Sequence, residues 1–276
     1  AYTKQITQTI FQTDHHRIMT AKTQGIEDAF KPYDQFILFG DSITQMSCNQ
    51  DLGFAFHAAV QDSYSRRLDV VNRGLSGYNS AHAVKVFDKF FPAPQTATVR
   101  FMTIFFGAND ACVPGLSQHV PLDQYEKNLK TIIQHPATRA QNPRLILITP
   151  PPVNEHQLEG FDASKDTPFP SRTAILTKSY AAAARELGVS LNIPVVDLWS
   201  AFMKPAGWKE GEPLIGSHEV PNNETFASLF TDGLHLAPAG NRIVYEELMK
   251  VIHANWPDQT PEALPMVFPS WEVAPK

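Results

Sequence analysis

The sequence predicts an α/β protein built on a five-stranded parallel sheet with helices on both faces. Three observations carry this. Short apolar runs alternate about five times with stretches of helical spacing, the pattern of repeated strand–helix–strand units. Within the runs the apolar residues are consecutive rather than alternating, as in strands covered on both faces. The polar clusters fall just after the runs, and open parallel sheets bind ligands beyond the carboxyl ends of their strands. With 276 residues, 43% hydrophobic and 18% charged, the chain is long and apolar enough for one large core.

The elements follow in order. Residues 1–34 are polar with little periodicity and read as an extension outside the core; the domain is expected over 35–256. Phe36 to Phe39 is the first strand. Leu52, Phe56, Ala59 and Val60 are spaced for a helix, and Val70-Val71 marks the second strand. Val84, Phe87 and Phe91 return to helical spacing, which makes Phe87 and its neighbours core residues rather than an acyl pocket. Val99 to Phe106 is a strong third strand. Leu122, Tyr125, Leu129, Ile132 and Ile133 form the apolar stripe of a helix opened near Pro121. Leu145 to Ile148 is the fourth strand, and Pro150 to Pro152 after it form a rigid turn. Leu176, Tyr180, Ala183 and Leu187 mark a helix ending near Gly188. Residues 193–198, "IPVVDL", are the fifth strand, and Val244, Leu248 and Val251 lie on a last helix begun by Pro238. The long Gly-, Pro- and Asn-rich connection over 204–230 has the length of a loop that covers a site. The proline-rich tail over 257–276 is expected to pack on the domain or on a partner subunit, as in a homodimer.

Composition narrows the function classes. The net charge of -5 and the lack of a basic stripe argue against a nucleic-acid partner. No apolar run reaches the ~20 residues that cross a bilayer, so stable membrane insertion is not expected. Cys48 and Cys112 form neither a disulfide framework nor a CxxC pair, and no apolar signal core follows Ala1; together these point to a cytoplasmic protein. Asn223-Glu224-Thr225 is a sequon of a kind that arises readily by chance. The histidines are scattered without ligand spacing, so neither metal nor cofactor is expected. No GxGxxG follows the first strand and no phosphate-binding loop of the P-loop type occurs, which speaks against a nucleotide-binding module.

The polar clusters suit acyl transfer. A serine is a poor nucleophile unless a base lies within hydrogen-bond reach and a third group orients that base. Ser42 follows the first strand in "GDSIT". Asp232 stands three residues before His235, close enough for its carboxylate to curl back to the ring and fix the tautomer. Glycines after strands expose backbone N–H groups, and the Asn109 side chain offers two further donors. Taken singly, these residues have plainer readings: Ser42 as a helix cap, Asn109 as a turn residue, Asp232 with His235 as a loop hydrogen bond. Asp41 and Asp110 are expected to be structural, holding neighbouring N–H groups, and Cys112 to be a packed thiol.

The blocks "GDSIT", "NRGLSGY", "GANDAC" and "DGLHL", in this order, resemble the SGNH/GDSL hydrolases, and among them the fungal isoamyl acetate-hydrolysing esterases. The resemblance spans residues 35–256. It implies a flavodoxin-like three-layer α/β/α sandwich and a serine esterase for short acetate esters, with a small-molecule ester as partner and no cofactor. It places the nucleophile on Ser42, the acid and base on Asp232 and His235, and the oxyanion hole on the Ser42 N–H, the Gly77 N–H and the Asn109 side chain. Gly74, three residues before Gly77, competes for the same assignment. A carbohydrate or other acetylesterase, a longer-chain lipase or lysophospholipase, and an acyltransferase share the fold. The interval between Asp232 and His235 differs from the usual α/β-hydrolase arrangement. Ala237 stands where an oxygen-bearing cap would precede Pro238, so the last helix is expected to start less firmly or to be capped by another group.

Overall fold

A computed structural model describes residues 32–274. The extension expected over 1–34 lies, up to residue 31, outside them. From Asp34 onward the chain forms one unit. β1 (Asp34–Gly40) leads into a short helix α1 (Ser42–Met46), then α2 (Phe56–Ser63), β2 (Leu68–Gly74) and α3 (Ser80–Phe90). β3 (Val99–Phe105) is followed by α4 (Leu122–Ile133), α5 (Pro136–Gln141) and β4 (Arg144–Ile148). Then come α6 (Glu155–Ser164), α7 (Ala174–Ser190), β5 (Val195–Val196), α8 (Leu198–Met203), α9 (Glu224–Ala227) and α10 (Pro238–Asn255).

The five strands form one parallel sheet in the order β2-β1-β3-β4-β5. Because side chains alternate along a strand, each buried strand feeds two cores. Phe36 and Leu38 of β1 join Phe101, Val60, Val244 and Leu248 on one side, where α2, α8 and α10 pack. Ile37 and Phe39 join Met102, Phe87, Tyr125 and Tyr180 on the other, under α3, α4 and α7. This is the expected α/β/α sandwich.

The edges of the elements differ from the sequence reading for local reasons. β2 extends to Gly74, so Asn72 and Arg73 belong to the strand and not to the loop; Leu38 and Phe39 of β1 pair with them in register. β5 shrinks to two residues, because Pro194 has no N–H and Asp197 turns away to cap α8, its side chain accepting from the Ser200 N–H at 3.2 Å. Leu52 lies in a turn, 58% exposed, and α2 begins only at Phe56. α7 runs past Gly188 to Ser190. α10 does start at Pro238 without a side-chain cap on Ala237. Asn241, one turn in, does not cap it but ties it to its surroundings: its Nδ2 donates to the Leu236 and Ala237 carbonyls, and its Oδ1 accepts from the Phe56 N–H at the start of α2.

After α10 the chain runs back along the α2–β2 turn. The Tyr64 hydroxyl donates to the Gln259 carbonyl at 2.9 Å, Arg67 Nε donates to Leu264 O at 2.9 Å, and the Val267 N–H donates to Arg66 O. Among the described residues no helix is long and apolar enough to cross a membrane.

Phe101 is fully buried between Phe36, Tyr64 and Trp256, so it ties β1, α2 and the end of α10 to one face of the sheet. Phe101→Ala should cost ~3–5 kcal/mol. A urea midpoint close to that of the parent chain would contradict this packing.

Candidate active site

The sheet order sets the site. β1 lies between β2 and β3, and Gly40 is in register with both Gly74 and Phe105. The loops after these three strands therefore leave the sheet side by side, at the point where the strand order reverses. Between them and residues 161–172 lies a cavity of about 550 Å³, lined by Ser42, Gly77, Asn109, Asp232 and His235 among others.

Ser42 is the first residue of α1 and is 5% exposed. Asp41 caps the helix, its Oδ1 accepting from the Ile43 N–H at 2.9 Å. Gly40 has no side chain for a steric reason: a Cβ there would sit 2.1 Å from Thr44 Oγ1 and 2.6 Å from the Phe105 carbonyl. The Ser42 N–H, at the first helical position, has no intrahelical acceptor and is engaged by no other described group.

Gly77 adopts a φ of +79°, and its N–H likewise donates to no described group. Gly74 is different: it is part of β2, and a Cβ there would fall 2.0 Å from the Gln45 N–H nitrogen. Its task is to let α1 approach the strand. Of the two glycines, Gly77 lines the cavity.

Asn109 is 3% exposed in the turn after β3. Its Nδ2 donates to Tyr78 O at 2.8 Å, which leaves its second hydrogen for the cavity. Its Oδ1 accepts from Arg172 Nη2 at 2.9 Å and Gln118 Nε2 at 3.2 Å. Asp110 points away from the cavity and holds the start of α3, accepting from the Ser80 N–H with both oxygens.

Asp232 and His235 occupy one tight turn, closed by a bridge between Phe230 and Leu236 and by the Thr231 N–H donating to His235 O at 2.8 Å. Asp232 Oδ1 accepts from the N–H groups of Leu234 and His235, which turns Oδ2 to His235 Nδ1 at 2.7 Å. Nε2 then faces Ser42 Oγ at 3.0 Å. Phe161 meets the imidazole edge-on, with ring centroids 5.6 Å apart. Burial raises the Asp232 carboxyl, but the His235 ring, its charge and the two backbone N–H groups outweigh burial and hold it below its usual range. Asp232 is therefore ionised at neutral pH. Ser, His and Asp in this line suit general-base activation of a hydroxyl, and the Ser42, Gly77 and Asn109 donors suit a developing oxyanion.

The sequence reading missed two contributors. Arg172 and Gln118 hold Asn109 from behind, yet Arg172 stands in "SRT" before α7, where a lone arginine reads as a solvated charge. The wall of the cavity is also displaced from expectation. No residue of 204–230 lines it; residues 161–172 do. Cys112 is buried and borders the cavity, and burial raises its thiol above the usual value. Among the described residues no cluster of His, Cys, Asp and Glu is arranged to hold a metal ion.

A model of the GDSL-like lipase/acylhydrolase family matches residues 38–243. A GDSL esterase/lipase of Arabidopsis thaliana is 36% identical over 223 residues, covering 78% of this chain and 84% of the relative. The isoamyl acetate-hydrolyzing esterase 1 homolog of Rattus norvegicus is 32% identical over 246 residues, covering 87% and 88%. Among solved structures, a lipase/acylhydrolase from Enterococcus faecalis superposes with a TM-score of 0.56 at 23% identity over 80% of this chain and 96% of that one. An acetylxylan esterase from Geobacillus stearothermophilus gives 0.57 at 20% identity over 79% and 94%.

Burial lifts the Asp41 carboxyl from 3.8 to about 7, with the Ile43 N–H only partly opposing it, and its Oδ2 has no partner. The folded chain thus holds this proton more tightly than the unfolded one. Its stabilising contribution is complete below pH ~4 and is lost as pH rises to ~7. Asp41→Asn keeps the cap acceptor and stays neutral, so its Tm should gain on that of the parent steadily from pH 4 to 7. A constant difference across that range would refute the assignment.

Proposed function

The chain belongs to the GDSL-like lipase/acylhydrolase family and is a carboxylic ester hydrolase, and we propose that it cleaves short-chain acetate esters of the isoamyl acetate type through an acyl-enzyme on Ser42. One observation carries the mechanism: Ser42 Oγ, His235 Nε2, His235 Nδ1 and Asp232 Oδ2 lie in a continuous line at 3.0 and 2.7 Å.

Ionised Asp232 accepts a hydrogen bond from Nδ1–H, which keeps that proton on the ring and leaves Nε2 as the basic nitrogen. His235 takes the Ser42 proton as Oγ attacks the ester carbonyl. The oxyanion that forms is met by the Ser42 N–H, the Gly77 N–H and the spare Nδ2 hydrogen of Asn109. His235, now protonated, gives its proton to the leaving alcohol. A water then loses a proton to His235 and attacks the acyl carbon; as the bond from that carbon to Ser42 Oγ breaks, His235 returns the proton to Oγ and the carboxylic acid leaves. Asp232 stays ionised throughout and stabilises the imidazolium.

Support for acetate esters comes from the relatives named for isoamyl acetate hydrolysis, which match over most of both chains. One observation favours a second reading, an acetylesterase for hydroxylated alcohols. The cavity has the ~300–1,000 Å³ size typical of sites for larger ligands, and Ser76, Ser117, Gln118, Asp166 and Thr167 make part of its wall polar.

Ser42→Ala should reduce kcat on p-nitrophenyl acetate by roughly 10⁴-fold or more with the fold intact, and Asn109→Ala by ~10²–10³. Across p-nitrophenyl acetate, butyrate and decanoate, kcat/KM should be highest for acetate. A decanoate preference would make the protein a longer-chain lipase, and faster turnover of acetylated sugars than of isoamyl acetate would select the second reading. Retained turnover by Ser42→Ala would remove the mechanism altogether.

A further inference from the structure

Arg172 is 3% exposed, and no carboxylate of the described residues lies within ion-pairing distance of it. A buried guanidinium without an anion is costly, so what it does instead is informative. Its donors all go to neutral oxygens: Nε to Ala108 O at 2.7 Å, Nη1 to Ser171 Oγ at 3.1 Å, and Nη2 to Asn109 Oδ1 at 2.9 Å and Gln118 Oε1 at 3.3 Å. Two of these four acceptors belong to the Ala108-Asn109 pair itself.

The consequence falls on the Asn109 carboxamide. A carboxamide has two orientations that differ only in exchanging its oxygen and nitrogen. Here the oxygen side is met by a cation and by Gln118 Nε2, so the opposite orientation would press an NH₂ group against a guanidinium. Nδ2 is thereby committed to Tyr78 O and to the cavity. A charged donor on Oδ1 also draws electron density from the amide nitrogen, which strengthens the remaining N–H as a donor. Gln118 extends the same network. Its Nε2 also donates to Gly77 O at 2.9 Å, so the peptide after Gly77 and the side chain of Asn109 share one support.

We propose that Arg172 is a positioning residue of the oxyanion site, which orients and polarises the Asn109 carboxamide through its Oδ1. The inference rests on the reading of Asn109 as an oxyanion donor. Arg172 also pins backbone: it forms a bridge with Cys112, and the Val113 N–H donates to Ser171 O at 2.8 Å. The experiment must separate the two tasks.

A double-mutant cycle does so. Arg172→Met, Asn109→Ala and the double variant are assayed on p-nitrophenyl acetate, with the parent chain and Ser42→Ala as controls and near-UV circular dichroism as the fold check. Arg172→Met should lower kcat by at least ~10-fold, short of the ~10²–10³ for loss of a whole donor, with KM changed less than about threefold. In the Asn109→Ala background the same substitution should have no further effect on kcat, because the group it acts through is gone. Effects that multiply, or a loss confined to KM, would show a structural task only and overturn the proposal. If Arg172→Met does not fold, Arg172→Lys, which keeps the buried charge but not the fork geometry, carries the same cycle with the same criteria. An active Ser42→Ala control would instead sink the assignment of the site, whatever the cycle gives. An inactive control with an additive cycle would sink the role of Arg172 alone.

Discussion

The imidazole of His235 has two nitrogens, and the site works only if one meets a carboxylate and the other a hydroxyl. The fold fixes both ends independently. On one side, the four-residue turn from Asp232 to His235 spends one carboxylate oxygen on backbone N–H groups, and the geometry that results presents the other oxygen to Nδ1. On the other side, Ser42 stands 193 residues away in sequence, just past the end of β1, a buried strand flanked by β2 and β3. The two meet because α10 packs on the face of the sheet that β1 also feeds, through Val244, Leu248 and Ile252. Hydrophobic packing thus sets the position of a hydrogen bond that contributes little to stability and everything to reactivity.

The site is also where the chain tolerates unfavourable burial. Asp41, Asp110 and Arg172 are all buried within or next to the loops after β1 and β3. Each removes an ionisable group from water, which costs several kcal/mol unless hydrogen bonds compensate. Asp110 is compensated by the start of α3, and Arg172 by four neutral oxygens, whereas Asp41 keeps one oxygen without a partner. What these groups provide is rigidity: the helix caps and the Asn109 network hold donors in place before a substrate arrives, so no reorganisation is needed as charge develops.

Much of this was legible in the sequence. The consecutive apolar residues of β1, β3 and β4 pointed to strands buried on both faces, and the family resemblance carried by the four polar blocks pointed to Ser42, Asn109, Asp232 and His235, with Gly77 in competition with Gly74. The remainder was hidden for physical reasons. β2 carries Asn72, Arg73 and Gly74 at its carboxyl end, residues with weak strand preference that pairing with β1 overrides. β5 was overread because Pro194 lacks the N–H that a ladder needs and Asp197 turns away to cap α8, neither of which the apolar run reveals. α1, α5 and α9 are too short for periodicity to register. Arg172 has no local signature at all, since its burial exists only after residues 161–172 close over the turn that follows β3. The length of 204–230 drew attention to the wrong segment: length alone does not say what a loop covers.

The central claim is that one nucleophile reaches the ester carbon while three donors converge on the oxygen bonded to it. It is tested most directly by a structure of the enzyme inactivated with a small p-nitrophenyl alkylphosphonate, whose tetrahedral adduct mimics the attacked ester. The account requires phosphorus on Ser42 Oγ, with one phosphonyl oxygen about 3 Å from the Ser42 N, Gly77 N and Asn109 Nδ2 atoms. A label on any other residue, or a phosphonyl oxygen turned away from those three donors, would contradict it.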